Sequence, residues 1–213
     1  MKKVLDKLIN AIKFDKRYVF FCVILVLIGI ICGSLFIVIL NSTDKNLVIE
    51  YIESFIESIK NNTIDYTDSF KNTLIINYAI VLAISIFGLT CFLSWLNTLI
   101  LFYRSFIIGF IISSFILTYK IKGIVLSLVY VFPHMIFNIL IFSLLTACTL
   151  KLSFIVIKHI KGHKDLNIAH YFSKYLYTTI FIAFLITISS IYETFCALSL
   201  IKFFVNILWT FFT

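Results

Sequence analysis

Long apolar blocks separated by short polar breaks dominate this chain. Tyr18 to Leu40 is an unbroken apolar run, and about 20 such residues suffice to cross the hydrocarbon of a bilayer as a helix. The run exceeds a signal-peptide core and has no small-x-small cleavage pattern, so residues 18–40 are read as an uncleaved first span. Runs at 74–93 and 99–118 are joined by the brief SWLNT, from Ser94 to Thr98, which predicts two further spans in a helical hairpin. Hydrophobicity then persists from Ile124 to Ile157, too long for one perpendicular crossing. Pro133 falls within it, lacks a backbone donor and disfavours helical geometry at Phe132. The expectation is therefore a fourth span over 124–157 that is broken there, a half-helix Ile124–Phe132 joined through a kink to Met135–Leu150. A fifth span covers 176–209 and contains Glu193, a carboxylate that must lie at an interface, pair with another group or stay protonated.

The polar segments have patterns of their own. Residues 41–73 open with NSTD, four residue types that cap helices. Leu47, Val48, Tyr51, Ile52, Phe55, Ile56 and Ile59 then share about half a helical circumference, while Glu50, Glu53, Ser54, Glu57 and Lys60 share the rest. This predicts an amphipathic helix outside the membrane. Its acidic face attracts anionic lipid poorly, so the helix suits packing on its own bundle or docking a partner, uses that can coexist. The basic segment 1–17 reads equally as an interfacial helix or as a charged tail. A basic loop, 158–175, precedes the last span, and its His159, His163 and His170 read as solvated residues. Gly29 with Gly33, and Ser105 with Gly109 and Ser113, repeat at four-residue spacing; such small-residue seams let helices approach closely.

Composition supports a membrane reading. The 213 residues are 62% hydrophobic and 13% charged, more apolar surface than one soluble core could bury. The expected fold is all-α, a polytopic integral membrane bundle of about five transmembrane helices in a single domain, 1–213. The net charge of +8 lies beside the spans rather than along an aromatic groove, which argues for a topology signal and against nucleic acid. With the N-terminus cytoplasmic, eleven bases fall inside (Lys2, Lys3, Lys7, Lys13, Lys16, Arg17, Arg104, Lys158, Lys161, Lys164 and Lys174) and five outside (Lys45, Lys60, Lys71, Lys120 and Lys122), with Lys151 and Lys202 assigned to neither side. Arg104 is placed a turn inside the third run, its side chain snorkelling to the interface.

Candidate chemistry is sparse. No phosphate loop, nucleophile elbow, H-E-x-x-H or metal-ligand cluster is present in the sequence. The five cysteines all lie in apolar stretches without a C-x-x-C pair, so neither disulfides nor zinc are expected. We expect no enzyme activity, no cofactor and no metal. His134 and Asn138 are the polar residues nearest the break at Pro133. A functional reading makes them, with Glu193, an ion or proton site in a small transporter or channel; the plainer one lets His134 bond carbonyls freed by the kink. Direct membrane shaping by a wedge-like bundle is a third possibility.

Four segments together carry a resemblance: FKNTLIINY from Phe70, FGLT from Phe87, FYRSFIIGFIISSF from Phe102 and KGIVLSLVYVFPH from Lys122. In order and spacing the chain resembles the stage II sporulation protein M family over about residues 10–210, most specifically between Phe70 and Asn138. The broader family often has Gly and Glu where Met135 and Asn138 stand here, which fits the sporulation branch better. The resemblance implies a membrane anchor or scaffold of the engulfment complex, in the bacterial mother-cell membrane that migrates around the forespore. Its implied partners are the stage II sporulation proteins P and D, cell-wall hydrolases. On this reading Tyr51, Phe55 and Ile59, with Glu50, Glu53 and Glu57, are docking candidates.

Overall fold

The computed structural model describes residues 15–61, 63, 65–90, 92–161 and 168–211. The basic segment is outside this set up to residue 14, as is the part of the second basic loop at 162–167. Among the described residues the chain is helical, with no strand. It forms α1 (Lys16–Ile39), α2 (Ser42–Lys60), α3 (Tyr66–Leu89), α4 (Leu96–Tyr119), α5 (Ile121–Ile160) and α6 (Ile168–Tyr192), then a π-helical turn (Glu193–Ala197) and α7 (Leu198–Phe211). Five stretches are long and apolar enough to cross a membrane: Lys16–Ile39, Tyr66–Leu89, Leu96–Tyr119, Met135–Ile160 and Tyr171–Val205. The protein is a multi-pass helical bundle.

Local chemistry starts the helices where polar residues meet apolar runs. The Asp15 carboxylate accepts from Arg17 N at 3.3 Å and caps α1. Asp65 does the same for α3, accepting from Thr67 N at 2.8 Å and Asp68 N at 3.4 Å; each cap satisfies donors that a helix start leaves unpaired. Because Asp65 caps it, α3 begins at Tyr66, within the stretch read from sequence as loop. Between α4 and α5 the chain reverses through Lys120, whose φ is 50°, a left-handed conformation uncommon outside glycine. Gly123 completes the reversal, since a Cβ there would collide with the Phe115 carbonyl.

Packing centres on α5, which touches α1, α3, α4, α6 and α7. The α1–α4 contact is the most extensive between two helices among the described residues. A Cβ at Gly33 would strike the Phe106 carbonyl, one at Gly109 the Ile30 carbonyl, and one at Gly29 would lie 2.6 Å from Ser105 Cβ. The two small-residue seams thus face each other within one chain. Ser34 Oγ donates to Gly109 O at 3.3 Å, and Phe36 closes the seam edge-on to Phe106 at 5.4 Å between centroids. Ser113, a turn beyond Gly109, is half-buried. At the far end of α3, Asn97 Nδ2 donates to Ile84 O at 3.1 Å and to Thr149 Oγ1 at 3.0 Å. This bond locks the α3–α4 turn to α5. Apolar residues on the outer faces, such as Phe20, Val38, Ile75 and Ile180, remain exposed, as suits a surface solvated by lipid.

Two helices depart from the sequence expectation. The helix does not break at Pro133; α5 is one continuous run of 40 residues, about 60 Å long at 1.5 Å per residue. Proline withdraws one donor, but the helices packed around α5 hold the remaining ladder in register, a tolerance common in buried membrane helices. Interruption comes instead in the last run, where the π turn at Glu193–Ala197 separates α6 from α7.

A charged site inside the bundle

Arg104 is the centre of the polar interior. It lies eight residues into α4, about 12 Å from the helix start, so its charge is inside the bundle and not at the interface. The snorkelling expectation is corrected, because partners on three other elements offer better solvation than a long reach to water. Asn77 of α3 accepts from Arg104 Nη2 at 3.1 Å. Phe142 of α5 presents its ring to the guanidinium, 5.6 Å from the centroid, a cation–π contact that gains strength away from water. Glu193, at the start of the π turn, interacts with Arg104 electrostatically.

Further bonds hold these groups in place. Asn77 Nδ2 donates to Ser190 Oγ at 3.2 Å, so the amide that receives Arg104 is tied to α6. One turn on, Thr194 Oγ1 donates to Ser190 O at 3.1 Å. A π turn fits an extra residue into a helix and rotates the side chains beside it, a device frequent at functional sites; here it begins at the one acid of the last apolar run. Nearby, Tyr78 and Thr187 share a hydroxyl hydrogen bond of 2.7 Å.

Arg104, Asn77, Glu193, Asn138 and Phe142 line a cavity of about 60 Å³. By this measure a water needs roughly 10–15 Å³, so a few waters fit and a larger solute does not. Asn138 is 8% exposed, and its Oδ1 has no hydrogen-bond partner among the described residues. That acceptor suits a water or a proton-bearing group. A second cavity of about 250 Å³, lined by Phe55, Ser69, Asn72, Thr73, Tyr130, Glu193 and Thr194, lies on the α2 side. Glu193 borders both.

Sequence reasoning anticipated part of this set. Asn138 and Glu193 do line one cavity; the His134 side chain is outside the described residues, although its backbone continues α5. Asn77 was missed and Arg104 misplaced. The signal for them was one base and one acid, each isolated in an apolar run, since opposite charges at membrane depth seek each other. Among the described residues no group of three or more His, Cys, Asp or Glu is arranged to hold a metal.

The amphipathic helix α2 needs a second correction. Ile52, Ile56 and Ile59 of α2 are buried against Phe115, Leu126, Ile201 and Val205. Ile59 is therefore a core residue and leaves the docking set. Phe55 is half-buried with its ring 5.6 Å from Tyr130. The helix needs this stripe to stay on the bundle, so hydrophobic burial claims it first. Tyr51, Glu50, Glu53 and Glu57 remain exposed.

A family model described as stage II sporulation protein M matches residues 22–197. No match is found among curated proteins or among solved structures.

Proposed function

Because the chain belongs to the stage II sporulation protein M family, a family of sporulation-related membrane proteins, we propose that it is the membrane scaffold of the engulfment complex. In this reading it localises cell-wall hydrolases, the stage II sporulation proteins P and D, while the mother-cell membrane migrates around the forespore, and performs no catalysis itself. The N-terminus is cytoplasmic, which puts α2 on the outer side, where wall enzymes work. Correcting Arg104 to the interior takes one base from the inner tally, and the pairing of Lys151 with Asp15 at 3.5 Å returns one, so the positive-inside balance still favours this orientation.

One observation carries the proposal. Helix α2 is clamped to α4, α5 and α7 by a buried isoleucine stripe while Glu50, Glu53, Glu57 and Tyr51 face outward. A rigid helix displaying three carboxylates and an exposed aromatic suits a partner with a basic membrane-proximal surface. Photo-reactive residues at Tyr51, Glu53 and Glu57 in sporulating cells test it. Capture of a wall hydrolase is expected; crosslinks confined to this chain would remove the docking role.

A second reading, passage of protons or a small ion, draws support from Glu193 bordering both cavities. It expects ion movement in liposomes that is lost in Glu193→Gln. Sealed proteoliposomes without flux across a broad ion panel would refute it.

A further inference from the structure

At the end of the bundle where Asp15 caps α1, an open groove of about 860 Å³ plays no part in either reading above. Among the described residues Arg17, Lys151 and Lys158 line it, with Asp15 as the one acid; three bases less one acid leave +2. Lys151 is held by Asp15 at 3.5 Å, and the Lys158 ammonium lies 5.2 Å from the centroid of the Phe154 ring. Beside these charges the walls are aromatic. Phe92 is 83% exposed, and Trp95 and Phe154 are also exposed. Phe92 and Trp95 occupy the turn between two spans, the depth at which tryptophan rings meet lipid headgroups.

No single-character partner suits this groove. A wholly aqueous one would leave Phe92, Trp95 and Phe154 in water, and a wholly apolar one would leave the cations without counter-charge. The opposite end of the bundle bears six acids, Asp44, Glu50, Glu53, Glu57, Asp65 and Asp68, against the five bases Lys45, Lys60, Lys71, Lys120 and Lys122, so it is close to neutral and an anionic leaflet is drawn to the groove end. We propose that the groove binds an anionic phospholipid, its phosphate between Arg17 and Lys158 and the upper part of its acyl chains against Phe92, Trp95 and Phe154. Basic pockets between membrane helices bind such headgroups on general electrostatic grounds.

Trp95 reports on the site directly. The chain has two tryptophans, Trp95 and Trp209, so full-length Trp209→Phe leaves Trp95 alone. This protein is reconstituted in phosphatidylcholine vesicles containing a small fixed fraction of dibrominated phosphatidylglycerol, or the same fraction of dibrominated phosphatidylcholine. Bromine quenches tryptophan at contact. The anionic lipid is expected to occupy the site with a preference on the order of fivefold, the factor one basic residue near an anionic surface contributes. Arg17→Gln with Lys158→Gln should return the two lipids to parity. Equal quenching in the Trp209→Phe protein overturns the proposal, as it would if another part of this chain or a second copy filled the groove. Loss of the preference on adding inorganic phosphate at constant ionic strength overturns it too, assigning the cations to free phosphate. Should the double variant fail to reconstitute, raising the salt on the Trp209→Phe protein decides: a falling preference supports a charge-held lipid, and an unchanged one refutes it.

Discussion

Replacing Arg104 by Met keeps the apolar stem of the side chain and removes the guanidinium with its charge. Three contacts are lost together: the hydrogen bond to Asn77 Oδ1 at 3.1 Å, the cation–π contact with Phe142 at 5.6 Å, and the attraction to Glu193. A hydrogen bond to a charged group contributes about 1.5–3 kcal/mol and a cation–π contact about 0.5–2 kcal/mol. Against these stands relief of the cost of keeping a guanidinium out of water, so the net loss for Arg104→Met is expected at about 2–4 kcal/mol, overlapping the lower part of the roughly 3–5 kcal/mol for breaking buried pairs. Part of that loss comes from Glu193 left without its counter-charge. The double variant Arg104→Met/Glu193→Met leaves neither charge unpaired, so it should be more stable than the sum of the single losses, with a coupling of about 1–3 kcal/mol. Unfolding of the reconstituted protein by titration with a denaturing detergent, followed by loss of helical circular dichroism, measures all four corners of the cycle. Additive effects within about 0.5 kcal/mol would show that the two charges do not interact and would refute the site as drawn.

Gly33→Leu should separate α1 from α4, because even a Cβ there meets the Phe106 carbonyl; a loss of about 1–3 kcal/mol or more is expected in the same assay, and wild-type stability would contradict the contact. Ile56→Ala, at a side chain 1% exposed, should cost about 2–4 kcal/mol and make α2 protease-sensitive, whereas Tyr51→Ala should change stability by less than about 0.5 kcal/mol while weakening partner capture. Pro133→Ala adds a backbone donor inside a continuous helix and is expected to leave stability unchanged or improved; a large loss would mean that the proline sets the helix path.

The membrane character and helical class of this protein were legible in the sequence, because the length and apolarity of a span are local properties that hydrocarbon enforces without reference to other helices. The amphipathic pattern of residues 47–60 is local in the same way. It identified Ile52, Ile56 and Ile59 as one stripe, yet could not say whether bundle or partner covered it, and only the packing against Phe115 and Ile201 made it core. The seams at Gly29, Gly33, Ser105 and Gly109 were visible as spacing, but their pairing with each other depends on which helices are neighbours. Pro133 was given more weight than it has, since a missing donor is a local penalty that surrounding helices can absorb. For the charged site the balance tips furthest towards tertiary structure. Arg104 and Glu193 are 89 positions apart in the chain, and the reading of each alone was that it seeks water or a partner. Only the fold brings Asn77, Phe142 and Glu193 to the guanidinium, because the solvation of a charge inside a membrane protein is supplied by side chains from several helices at once.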